Sequence, residues 1–136
     1  MLRRVFLAFA FALPLLLASA SAWAGSYLNR AAILLEASRA ERDMALPNYN
    51  DKELIRLVQE IAEARTRSAR ATQVPKAVAS AHPHLMLVLE NCERAYSAAL
   101  DGQHDKFVDH ILRARAEDKT YRALLSKLGY SLPDQH

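Results

Sequence analysis

The stretch DKELIRLVQEIAEARTRSARAT, residues 51–72, decides the fold. Its apolar residues Leu54, Leu57, Val58 and Ile61 recur at three- and four-residue intervals, and Ser68 and Ala69 continue the same side. Arg56, Glu60, Glu63, Arg67 and Arg70 fall on the other side. Apolar residues at this period, segregated from charges, define an amphipathic helix. Pro47 disfavours helical geometry at the residue before it, and Asn50, with Glu53 three residues on, stands in capping-box position to start the helix.

The same period extends outward on both sides. Towards the N-terminus a helix is expected over 26–45, with Leu28, Ala31, Ala32, Leu35 and Ser38 on one face. Towards the C-terminus, Pro75 suits a first helical position, and Pro83 imposes a kink or restart near His82 before the pattern runs from Leu85 to Leu100. Asp101-Gly102 ends that segment. A fourth helix over 104–128 is expected to bury Phe107, Ile111, Ala114, Tyr121, Leu125 and Leu128, with Gly129 as its stop and Tyr130 as the hydrophobic contact of a Schellman cap. Four helices of similar length joined by short connections pack most simply as antiparallel neighbours. The expected fold is all-α, an up-down-up-down four-helix bundle over residues 25–136.

The first 24 residues follow a different rule. Arg3 and Arg4 precede an apolar run from Val5 to Leu17, and small residues lead to Ala22-Trp23-Ala24, which has the A-x-A form that signal peptidase accepts. The run is shorter than the about 20 apolar residues that a spanning helix needs. Residues 1–24 therefore read as a secretory signal peptide cut between Ala24 and Gly25, leaving an exported chain, periplasmic or secreted, with no stable membrane anchor. Of the net charge of +3, two positive charges belong to Arg3 and Arg4, which leaves the exported chain at +1. Such a near-neutral surface argues against a nucleic-acid partner. Cys92 is the one cysteine, so no internal disulfide forms, and its helical neighbours Leu85, Val88, Leu89, Ala95, Tyr96 and Ala99 place it on an apolar face.

No spacing of residues carries chemistry. His82 and His84 flank Pro83, but His110, on another helix, lies roughly 20 Å from His82 by the helical rise, too far to share a metal. The inward glutamates and paired Glu-x-x-His of a di-iron bundle are missing, and one cysteine excludes covalent haem attachment. Met44 and Met86 fall off the apolar faces as axial ligands. Glu60/Glu63 and Glu90/Glu93 are interleaved with arginines and read as solvated faces. The short-loop bundle resembles the periplasmic four-helix cytochromes in architecture alone, without their ligands. The sequence thus points to a non-enzymatic exported bundle that needs no cofactor, acts through protein or envelope contacts and is a monomer or weak dimer. The alternative is a carrier of a small ligand, haem or metal in a bundle cavity.

One pair of charges lies against this pattern. Arg65 falls on the face of Leu54, Leu57, Val58 and Ile61, and Asp118 among Ile111, Ala114, Tyr121 and Leu125. Each lies about fourteen residues below the same end of the bundle, at matching heights of roughly 21 Å. The expectation is a buried Arg65–Asp118 ion pair across the core.

Overall fold

In a computed structural model of the chain, the backbone is described from Leu2 to Asp134 and the side chains from Trp23 to Asp134. Four helices follow in order: α1 (Leu2–Ala45), α2 (Lys52–Ala71), α3 (His82–Leu100) and α4 (His104–Lys127). A single 3-10 turn, Lys76–Val78, lies between α2 and α3. Among the described residues, which for side chains begin at Trp23, there is no strand and no helix long and apolar enough to cross a membrane. The export signal read in residues 1–24 lies outside the described side chains except for Trp23 and Ala24, of which Ala24 is buried.

The ends of the helices follow from local chemistry. Asp51, rather than Asn50, caps α2, its Oδ1 accepting from the Leu54 amide at 3.1 Å. The carboxylate also places negative charge at the positive end of the helix dipole. The segment after Pro75 forms only the 3-10 turn and then restarts as α3, with Pro83 in the first turn, where its missing N–H costs no helical bond. Gly102 (φ 71°) and Gly129 (φ 85°) both take the left-handed conformation. In each case the two Schellman bonds are present: Gln103 to Ala98 and Gly102 to Ala99 after α3, Tyr130 to Leu125 and Gly129 to Ser126 after α4.

α3 is the central helix of the bundle. It packs most extensively on α4, then on α2, and it also meets α1. Its buried face carries Leu85, Val88, Leu89, Cys92, Ala95, Tyr96 and Ala99, and α4 answers with Phe107, Ile111, Ala114, Tyr121 and Leu125. Leu128, expected inside, is 40% exposed because the helix ends there and turns at Gly129. In α2 the buried face is Ile55, Val58, Ala62, Thr66 and Ala69. Leu57 and Ile61, expected inside, point to solvent at 54% and 44% exposure. Val58 and Ala69 are inside as expected, and the core completes that face with Ile55, Ala62 and Thr66 in place of Leu57, Ile61 and Ser68.

Candidate functional site

The α1–α2 side of the bundle holds the unusual groups, in a buried polar layer with an exposed apolar face beside it. Ser38 and Arg42 are one turn apart on α1 and both are buried. Arg42 Nη1 donates to Ser38 Oγ at 3.1 Å and lies 3.6 Å from Cys92 Sγ, while Ser38 Oγ and Cys92 Sγ are 3.1 Å apart. Only 2% of Arg42 is exposed, and its Nε has no hydrogen-bond partner. The Tyr96 hydroxyl, fully buried nearby, also lacks one. Burial, followed by the proximity of Cys92 and Glu41, pushes that hydroxyl far above the usual tyrosine range, so it stays protonated. Each buried group without a partner costs on the order of 1–3 kcal/mol. Cys92 has no exposed surface, as its apolar neighbours implied. A nucleophilic role would require the helices to part.

Arg65 belongs to the same layer. Its guanidinium grips Glu41 of α1 through two bonds, Nη1 to Oε1 at 3.1 Å and Nη2 to Oε2 at 3.0 Å, with both side chains nearly buried. This replaces the expected Arg65–Asp118 pair. Asp118 accepts instead from Arg122, one turn along α4, at 2.7 Å, and it also lies near Arg39 of α1, whose guanidinium is held above the usual arginine pKa first by its hydrogen bond to Glu36. The two charges occupy different seams: Arg65 bridges α2 to Glu41 of α1, whereas Asp118 bonds within α4 and lies near Arg39 of α1. Height along a bundle does not specify which seam a side chain enters. Glu41 falls one residue from Arg42 in a run of charges at the end of α1, and no signal in the sequence separated it from the solvated residues around it.

The histidines have separate partners. His82 Nδ1 accepts from Tyr27 at 2.9 Å, and Tyr27 in turn accepts from the Tyr121 hydroxyl at 3.2 Å. Burial holds the His82 ring below the usual histidine pKa, and burial, with Arg113 nearby, does the same at His110. The neutral His82 ring fits its role as acceptor. His84 meets Glu117 at 2.5 Å, His110 meets Asn91 at 3.0 Å, and His104 packs edge-on against Tyr49. Among the described residues no three His, Cys, Asp or Glu side chains group to hold a metal ion.

The exposed part of the site lies on the outer faces of α1 and α2. Ile33, Met44, Leu57 and Ile61 are 56%, 43%, 54% and 44% exposed, with the exposed residues Ala37 and Ala40 between the first two on α1 and exposed Ala64 following Ile61 on α2. Where α1 approaches the end of α2, Tyr27, Arg30, Ser68 and Thr72 line an open groove of about 520 Å³. Ala24 is buried and Gly25 lies within helical backbone. Comparison with protein-family models, curated proteins and solved structures gives no match.

Proposed function

We propose that the chain is an exported helical bundle that acts without catalysis, through protein contacts made by the outer face of α1 and α2. The observation that supports this reading is the exposure of four large apolar side chains, Ile33, Met44, Leu57 and Ile61, on two adjacent helices. A soluble surface rarely keeps such a patch uncovered unless a partner covers it. Export rests on the charged, apolar and small-residue regions of residues 1–24.

The test is a photo-cross-linking residue at Leu57, with the same residue at exposed Arg113 on α4 as control, expressed from the full chain in an exporting cell. Discrete adducts from position 57 alone are the expected result, and equal labelling from both positions would remove the reading. N-terminal sequencing of the exported product should begin at Gly25. A second reading, carriage of a small ligand, draws its support from the groove beside Tyr27 and Arg30. An ultraviolet-visible spectrum with elemental analysis on protein purified from its own compartment decides it: a Soret band or stoichiometric metal would favour the carrier.

A further inference from the structure

On α2 the residues Leu54, Leu57, Ile61, Ala64, Ser68 and Ala71 are spaced alternately three and four apart, a heptad seam beside the buried one. All six are exposed apart from Leu54, which is partly buried. Their sizes are divided along the helix, with the three large residues in the N-terminal half and the three small ones in the C-terminal half. We infer that this seam is the docking site for α2 of a second copy of the chain, laid antiparallel. The inference rests on the protein-contact reading above and names its partner.

Size and charge agree on one register. Setting Ile61 opposite Ala64 of the second copy also sets Leu57 opposite Ser68 and Leu54 opposite Ala71, so every layer pairs a large side chain with a small one. The same register brings Glu60, flanking the seam, towards Arg67 of the second copy, and two-fold symmetry makes this contact twice. A parallel arrangement does the opposite. It stacks Ile61 on Ile61 and leaves Ser68 facing Ser68 across a gap. α1 borders the docked helix, since Ile33 shares a groove of about 260 Å³ with Ser68, and Ala37, Ala40 and Met44 continue from Ile33 at the same spacing.

The exposed apolar side chains on the two helices are few, and such a face falls short of the about 800 Å² per partner of a standard interface. The dimer is therefore weak and concentration-dependent. Sedimentation equilibrium of the exported chain, from low micromolar to about 100 µM, should show the mass rising towards twice that of the monomer. Glu60→Arg faces two arginines across the seam and should weaken association about tenfold or more, while Glu60→Arg with Arg67→Glu restores it. Ile61→Lys should abolish dimerisation with an unchanged circular dichroism spectrum. Should that variant unfold, the Glu60 and Arg67 exchange, made on the exposed surface, still decides the question. A chain that stays monomeric throughout overturns the inference, as does a dimer indifferent to Glu60→Arg or a double exchange that restores nothing. A monomer that still cross-links from position 57 to a different protein removes the second copy as partner but leaves the contact reading standing; loss of both signals removes both.

Discussion

The α3–α4 half of the bundle and the α1–α2 half obey opposite rules. Between α3 and α4 the interior is mostly apolar, with Leu85, Val88, Phe107, Ile111 and Leu125 essentially without exposure, and its buried amide, Asn91, is paired with His110. On the α1–α2 side the arrangement is partly inverted: Glu41 and Arg42 are buried and Arg65 nearly so, while Ile33, Met44, Leu57 and Ile61 face water. The first half accounts for stability through burial. The second gives up stability to desolvated charge and leaves apolar surface free, the arrangement on which the proposed contact face rests.

The largest effect should come from the apolar half. Phe107 is fully buried and packs against Tyr49, and Phe107→Ala should cost about 3–5 kcal/mol in a denaturant melt. Next comes the charge layer, where Glu41→Ala strands the Arg65 guanidinium and should cost about 3 kcal/mol. Replacing both residues, Glu41→Leu with Arg65→Met, should recover most of that loss, because two apolar side chains need no partners. A double substitution as damaging as the single would mean that the pair contributes net stability, and the contrast between the halves would soften. Asp118→Ala should cost below about 1 kcal/mol, since Arg122, its partner, is half exposed and keeps its water. A loss of several kcal/mol there would reinstate Asp118 as a core charge.

The smallest effect is a pH dependence at the seam of the two halves. The folded chain holds His82 below the ordinary histidine value of 6.5 through burial, so the unfolded chain takes up the proton first as pH falls. Stability should therefore be full above about pH 6.5 and decline below it until the folded ring also protonates. His110 shifts in the same direction and adds to the slope. Replacing His82 with Asn should flatten the His82 part of the slope in melts taken across this range; an unchanged slope would place the dependence elsewhere.

The two halves also differed in how far they could be read in advance. For α4, five of the six residues expected inside are inside, since between Phe107 and Leu125 charges leave a single apolar stripe to choose. In α2 two stripes lie side by side, one through Leu54, Leu57, Ile61, Ala64 and Ser68, the other through Ile55, Val58, Ala62, Thr66 and Ala69, and the one charge on this side, Arg65, falls between them and marks neither. Periodicity fixes that a helix exists there and which side is polar, but it does not choose between adjacent uncharged stripes. The reading took residues from both: Val58 and Ala69 are inside as expected, while Leu57, Ile61 and Ser68 belong to the exposed stripe.

The sequence by itself determined the number of helices, their breaks at Pro47, Pro83, Gly102 and Gly129, the apolar surroundings of Cys92 and the buried face of α4. These depend on interactions within a few residues, where the helical period, the fixed proline ring and the left-handed freedom of glycine act locally. The tertiary structure decided which stripe of α2 turns inward, that Arg65 takes Glu41 rather than Asp118, and that Arg42 is enclosed beside Cys92. Those outcomes depend on the rotation of each helix about its axis. Rotation is set by the fit of whole faces against their neighbours, a property of the packed bundle that no single helix carries.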